Sequence, residues 1–315
     1  MSTLKTVPLG GKNPLPVTNF GLGTAPIGNL YQPVPDGDAI ATIQAAYQGD
    51  IRLFDTAPLY GNGVSEMRVG EALTGIERSS YVLSTKIGRL VTATPGPLPF
   101  DYSRDGILRS LEGSLTRLNT DHVDILHIHD PDNHQHEALE TAFPTLADLR
   151  SQGVIKAIGA GMNQWQVLEH FARNADFDVF LLAGRYTLLE QTSLDFLKLC
   201  QEKGIGIFLG GVYNSGILAS DLQPDAKYNY AAAPEPVLAK ARAIKAVCDQ
   251  QGVALNVAAL QFARAHPAVT ALVVGAVSPA EVQTNLQSLA TPIPATLWTA
   301  LHDQGLVEEA APLPA

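Results

Sequence analysis

Residues 52–86 read RLFDTAPLYGNGVSEMRVGEALTGIERSSYVLSTK, and the reading of this stretch decides the fold. RLFDTA and YVLSTK are short apolar runs with β-rich composition, as buried strands have. Between them, residues 64–73 mix apolar and polar side chains at intervals of three and four, the spacing of a helix with one buried face. Strand, helix, strand over so short a span is a crossover unit, which joins parallel strands.

The unit recurs in both directions along the chain. VTNFGLGT, VDILHIH, IKAIGAG, DVFLLAG, IGIFLGG and TALVVGA bring the strand candidates to eight. Helix candidates occupy 38–49, 64–73, 104–118, 136–151, 164–173, 192–203, 236–251 and 279–289. Eight units in 315 residues match the α/β class in its closed form, a (β/α)8 TIM barrel, better than an open doubly wound sheet. FGLGTAPIG also lacks the GxGxxG turn that a dinucleotide-binding open sheet carries after its first strand. Gly10 and Gly11, between the apolar stretches 4–9 and 15–20, predict a short N-terminal β-hairpin ahead of the barrel. An extra helix over 256–265 and a Pro- and Ala-rich tail complete the chain. No low-complexity linker interrupts residues 1–315, which are expected to form one barrel domain.

Composition removes several function classes. With 21 basic and 31 acidic residues the net charge is −10, so affinity for a phosphate backbone lacks its main driving force and nucleic acid is not an expected partner. MSTLKTVPLGGKNPLP has no apolar core of signal-peptide length, and no segment approaches 18 uninterrupted apolar residues, so a cytoplasmic protein with no membrane contact is expected. Cys200 and Cys248 sit in helical patterns without metal-ligand spacing and read as buried, reduced thiols. No motif specifies an oligomeric state.

In a barrel of this type the chemistry gathers at the C-terminal ends of the strands. Asp55 and Tyr60 follow the second strand candidate, Lys86 ends the third, and His129 ends the fourth. A tyrosine titrates near 10 in water, and a nearby ammonium favours its phenolate. Lys86 would supply that charge, Asp55 would hold Lys86 protonated, and His129 would orient the substrate oxygen or share the proton. Tyr60 then serves as general acid for carbonyl reduction or general base for alcohol oxidation. The pair His127 and His129 also has the form of a metal-binding HxH, but His122, His134, His136, His170, His266 and His302 fall in loops or helices, so no metal is expected. A third class, a barrel that holds cofactor without catalysis, is opposed by the four residues occurring together.

FDTAPLYGNGVSEMRVGEAL, STK, DILHIHDP and GVIKAIGAG resemble successive signatures of the aldo-keto reductase superfamily, over nearly the whole chain. The resemblance implies a (β/α)8 barrel with an extended nicotinamide cofactor and a catalytic tetrad of Asp55, Tyr60, Lys86 and His129. FDYSRDGILRSLEGSLTRL, HIHDPD and LGGVYNSGIL are most similar to the bacterial aldose 1-dehydrogenase branch, which includes L-fucose and D-threo-aldose dehydrogenases and a pyridoxal dehydrogenase. That branch implies oxidation of a cyclic sugar at C1 to a lactone, with a sugar or aldehyde as the small-molecule partner.

For the cofactor, the resemblance directs attention to Gly23 and Thr24 after the first strand, and to Asn163 in GAGMNQW, where the family commonly carries a Ser-Asn pair. The glutamine common at the sixth strand end is absent from FLLAGRYT. After the seventh strand come Gly210, Gly211, Tyr213, Asn214, Ser215 and Gly216, in a turn that replaces the usual stacking aromatic. After the eighth come Gly275, Val277, Ser278, Glu281 and Asn285, where a helix start can face a phosphate. Glu281 stands where NADP-dependent relatives carry an arginine, which favours NAD over NADP; Ser278 and Glu281 also form a capping-box pattern. Asn62, Asp130, Asp132 and Asn133, with Tyr213 and Asn214, are the polar loop groups available to sugar hydroxyls, and pyridoxal or a simple aldehyde would use some of the same groups.

Overall fold

A computed structural model describes residues 4–10, 14–93, 96 and 98–314. Parallel strands β1 (Phe20–Gly23), β2 (Leu53–Asp55), β3 (Val82–Ile87), β4 (Ile125–His129), β5 (Ala157–Met162), β6 (Val179–Ala183), β7 (Gly206–Gly210) and β8 (Val269–Gly275) follow one another around a closed barrel, and β8 pairs back onto β1. Outside them lie helices α1 (Asp36–Gln48), α2 (Val64–Ala72), α3 (Arg104–Leu118), α4 (Phe143–Ser151), α5 (Trp165–Asn174), α6 (Leu194–Lys203), α7 (Glu235–Gln250), α8 (Leu255–Arg264), α9 (Pro279–Ala290) and α10 (Ala295–Asp303).

The two-residue period of a strand turns the barrel interior into layers. Leu53, Val82 and Ile125 point inward near the strand starts, in an apolar cluster with Phe208, Ala271 and Val273. One or two pleats further along the same inner faces come Asp55, Ser84 and Lys86, His127 and His129. The apolar end is closed by the expected hairpin: Thr6–Pro8 pairs antiparallel with Pro16–Thr18, and Leu9, Leu15 and Val17 join the inner cluster. Of its glycine pair, Gly10 takes a φ of 99°, which glycine adopts freely, while Gly11 lies outside the described residues.

The structure departs from the sequence expectation in four places. VTNFGLGT is two strands, because Asn19 turns the chain out of the hairpin: its N–H donates to Lys5 O (2.9 Å) and its Oδ1 accepts from Lys5 N (3.0 Å). The helix expected over 136–151 widens into a π turn at Ala138–Ala142 before α4. Pro144 accounts for this, since it has no N–H for Glu140 O and its ring crowds that carbonyl. The tail holds α10, which buries Leu297, Trp298 and Leu301. The connection after β7 carries a small antiparallel pair, Lys227–Tyr228 with Ala231–Ala232.

Two charged residues of SEMRVGEAL fix the loops around the barrel mouth. Glu66, fully buried, accepts from Thr85 Oγ1 and Arg117 Nε, both at 2.7 Å, and so ties α2 to β3 and α3. Arg68 donates to Ile27 O, Val34 O (2.8 Å) and Asp36 Oδ1 (2.6 Å), which pins the β1–α1 loop. Cys200 and Cys248 are free and buried, and burial pushes their thiols up to about 12 and about 11. Among the described residues no helix is long and apolar enough to cross a membrane.

Candidate active site

At the polar end of the barrel lies an open cavity of about 580 Å³. Asp55, Tyr60, Lys86 and His129 all line it. Asp55 ends β2, where its Oδ2 accepts from Lys86 Nζ at 2.7 Å and its Oδ1 accepts from Ser84 Oγ at 2.9 Å. Lys86 also donates to Thr56 O at 2.8 Å, so an ammonium buried to 1% exposure has two close acceptors. Its Nζ lies 4.9 Å from the centre of the Tyr60 ring, and the Tyr60 ring meets His129 edge-on, with centroids 5.9 Å apart. Tyr60 reaches this place through a tight turn: Gly61 takes φ 65°, and a Cβ there would overlap Gly28 O of the β1–α1 loop.

The electrostatics correct one expectation. Burial, then the charges of Asp55, Asp130 and Tyr230, hold the Tyr60 phenol well above its ordinary value, so the presence of Lys86 beside the ring does not leave it lowered. Lys86 is directed at Asp55 and Thr56 O, and the neighbouring carboxylate offsets its charge. Tyr60 is therefore protonated at neutral pH in the free protein. His129 is held well below its ordinary value by burial, then Lys86 and Arg89, and is neutral. Its strand end is braced by Tyr102, whose hydroxyl donates to His129 O at 2.6 Å. His127, one pleat deeper, packs near Phe208 and is likewise neutral. Among the described residues no group of three or more His, Cys, Asp or Glu side chains is placed to hold a metal ion.

Of the residues expected at the cofactor, Gly23, Asn163, Gly210, Gly211, Tyr213, Ser215, Gly216, Gly275, Val277 and Glu281 line the cavity. The others stand behind its wall. Thr24 is buried, with its hydroxyl donating to Asp55 O at 2.9 Å. Asn214 is a buried latch that accepts from Thr187 Oγ1 (2.5 Å) and donates to Gly184 O (3.2 Å). Asn285 accepts from the Tyr213 hydroxyl at 2.8 Å. Ser278 caps α9 by accepting from Glu281 N at 3.2 Å, and Glu281 Oε2 accepts from Val277 N at 3.0 Å, so capping is realised by a residue that also faces the cavity. Of the groups expected to meet sugar hydroxyls, Asp130 and Tyr213 are on the wall. Asn62 instead clasps the Thr92 backbone (2.7 and 3.1 Å), and neither Asp132, whose backbone carbonyl accepts from Gln135, nor the exposed Asn133 is among the lining residues.

Sequence reasoning missed the cavity's apolar rim. Leu30 and Tyr31 of the β1–α1 loop, Leu59, Met162 and Tyr230 all line it. Tyr31 and Tyr230 stack at 6.2 Å across the mouth, at 52% and 59% exposure. Burial, then Tyr230 and Tyr60, pushes the Tyr31 phenol up to about 12. Tyr230 is carried there by the small hairpin after β7, with consecutive positive φ values of 48° and 67° at Asn229 and Tyr230. Asn229 followed by Tyr230 between two alanine pairs gives only a weak turn signal in sequence.

Residues 19–303 match the model of the aldo/keto reductase family. The chain belongs to the aldo/keto reductase family. It is accordingly an NAD(P)-dependent oxidoreductase acting on small molecules, built on the barrel described above. Similar proteins include the pyridoxal 4-dehydrogenase of Microbacterium luteolum, 38% identical over 94% of this chain and 96% of that one. The D-threo-aldose 1-dehydrogenase of a Pseudomonas species is 37% identical over 96% of this chain and 98% of that one. The holo form of an aldo-keto reductase from Bacillus halodurans superposes with a TM-score of 0.81 at 24% identity, over 99% of this chain and 98% of that one, a likeness of fold.

The cavity's donors and acceptors fit a nicotinamide dinucleotide. Asn163 spends its amide N–H on Ala183 O (2.9 Å), which leaves its oxygen for a carboxamide. The Gly210–Gly216 turn takes positive φ at Gly211, Asn214, Ser215 and Gly216, with Asn214 N donating to Gly211 O (2.8 Å) and Gly216 N to Tyr213 O (3.0 Å), so that Gly211, Ser215 and Gly216 give the wall a small-residue face. Tyr213 offers the nearest ring of the β7 turn, and Glu281 offers a carboxylate that matches the vicinal hydroxyls of a ribose.

Proposed function

We propose that this aldo/keto reductase oxidises an aldose at C1 to its lactone, with NAD as the preferred acceptor and Asp55, Tyr60, Lys86 and His129 as the reacting set. The observation that carries the reading is the Asp55–Lys86 pair at 2.7 Å beneath a tyrosine and a neutral histidine that share one cavity wall. A bound nicotinamide would supply the hydride acceptor for C1. The protein's own task is the proton. The hydroxyl at C1 gives it to the Tyr60 oxygen as the carbon–oxygen double bond forms, while the neutral His129 ring orients the reacting oxygen. Tyr60 has to release its own proton before it accepts one from the alcohol, and Lys86, bound to Asp55 and Thr56 O, lies 4.9 Å from its ring centre, where an ammonium favours that phenolate.

The preference for NAD rests on Glu281, whose carboxylate on the cavity wall accepts ribose hydroxyls and repels a 2′-phosphate. A second reading, oxidation of pyridoxal, is supported by the aromatic rim of Tyr31 and Tyr230, which suits a flat heteroaromatic ring, and by the likeness to a pyridoxal 4-dehydrogenase. The test is a dehydrogenase assay over L-fucose, D-arabinose, L-galactose, L-xylose and pyridoxal with both cofactors. The aldose reading expects the highest kcat/KM with an aldose and NAD. The highest value with pyridoxal, or with NADP, replaces it.

A further inference from the structure

Asp130 follows His129 directly and takes a φ of 44°, a left-handed conformation that a residue with a side chain adopts when its surroundings hold it. Two contacts hold it. Its N–H donates to Gly161 O at 3.1 Å, and its Oδ2 accepts from Arg89 Nη2 at 3.0 Å. Arg89 is fixed in turn, with its guanidinium carbon 4.3 Å from the centre of the Phe100 ring. The result is a braced carboxylate on the cavity wall.

Its position relative to the reacting set is specific. Oδ2 stands 3.8 Å from His129 Nε2, too far for a hydrogen bond between them, and Oδ1 takes no hydrogen bond from any described residue. Burial raises the Asp130 pKa while Arg89 opposes the rise, as for a carboxylate short of donors. Among the described residues Lys86 is the one lysine on the wall, and it is already bound to Asp55. The Asp130 side chain is 27% exposed, so its free oxygen is open to a donor on a molecule in the cavity, which takes the place of water. When a substrate oxygen lies between Tyr60 and His129, a hydroxyl on the next carbon is one hydrogen-bond length away from it, on the scale of the His129–Asp130 separation.

We propose that Asp130, braced by Arg89, is the specificity-determining residue: its carboxylate accepts a hydrogen bond from the hydroxyl on the carbon next to the reacting one. The inference rests on the reading of Tyr60 and His129 as the groups that hold the reacting oxygen. It extends that reading from aldoses to any substrate with an α-hydroxyl. A site built to receive a hydroxyl disfavours the analogue without it, because a charged acceptor is then left short of a partner.

The test compares kcat/KM within two matched pairs, an aldose against its 2-deoxy counterpart in oxidation and glycolaldehyde against acetaldehyde in reduction. Wild type, Asp130→Gly and Asp130→Asn are measured together, with cofactor affinity by fluorescence as the check that each variant is folded. Glycine suits the positive φ, and asparagine keeps the shape without the charge. The wild type is expected to favour the hydroxylated partner by roughly 10- to 100-fold, the scale of one hydrogen bond to a charged group. Asp130→Gly should bring that ratio close to unity, with Asp130→Asn between. A purely structural role would slow both partners alike and leave the ratio intact, which overturns the proposal. If no aldose is oxidised but the glycolaldehyde ratio collapses in Asp130→Gly, Asp130 keeps its role and the aldose reading fails. Absence of turnover with both pairs sinks the two together.

Discussion

Tyr60 sits among groups that oppose each other, and the balance predicts how the reaction responds to pH. Lys86 lies over its ring, but burial and the charges of Asp55, Asp130 and Tyr230 keep the phenol protonated well above its ordinary range. Oxidation needs the phenolate, so kcat/KM for alcohol oxidation should climb with pH through the alkaline range. Reduction needs the phenol and should stay level across neutrality, falling only at high pH. His129 is neutral throughout, so neither profile should bend near the ordinary histidine value of about 6.5. Paired pH profiles in both directions check this; a shared optimum at neutral pH would mean that Lys86 dominates after all. That Asp55, Lys86 and His129 come together at one cavity was legible in the sequence, because each is a polar residue closing an apolar run, and strand ends meet at the mouth of a barrel. The parts played by Asn62 and Asn214 were not, since a polar side chain in a loop serves a backbone clasp as readily as a substrate, and only the fold decides which way it turns.

The start of α9 carries two roles on one side chain. Glu281 closes the capping box with Ser278, through Val277 N, and also presents its carboxylate to the cavity. Glu281→Arg should therefore shift the kcat/KM ratio from NAD towards NADP by roughly 10- to 100-fold, as one charge-assisted contact replaces a repulsion. The same change should cost about 1 kcal/mol or less of stability, because Ser278 still caps the helix. Kinetics with both cofactors and a melting curve on the same variant separate the two effects; an earlier melt with an unchanged ratio leaves Glu281 as a cap alone. At this scale the sequence showed the strand and helix alternation clearly, and it failed where a local signal was weak or overruled. Pro144 split an otherwise periodic helix, and Trp298 drew an apparent tail into the core as α10. The hairpin that carries Tyr230 to the mouth has only two residues in each strand, too few for an alternation pattern.

For the whole molecule, the barrel interior couples stability to protonation. His127 and His129 are buried and neutral inside the barrel, and His266 is lowered to about 4 by burial. Each folded pKa lies below the unfolded value of about 6.5, so the unfolded chain binds more protons on acidification. Stability from these groups is present in full above about pH 6.5 and is lost as pH falls below it, by up to about 1.4 kcal/mol per pH unit for each histidine. Melting temperatures between neutral and mildly acidic pH should fall accordingly, and His127→Leu should flatten the slope; an unchanged slope would mean that His127 is not the proton acceptor. The same layered interior, apolar where the N-terminal hairpin plugs it and polar at the opposite mouth, directs all the candidate chemistry to one cavity. The central claim is that a hydride leaves C1 of an aldose in this cavity while Tyr60 takes the proton. The most direct measurement supplies the aldose deuterated at C1 with NAD and follows the label by mass spectrometry, in the wild type and in Tyr60→Phe. The account predicts deuterium in the reduced nicotinamide of the wild type and a rate lower by roughly 10²- to 10⁴-fold in Tyr60→Phe with cofactor affinity retained. Label lost to solvent, or transferred at an undiminished rate by Tyr60→Phe, would contradict it.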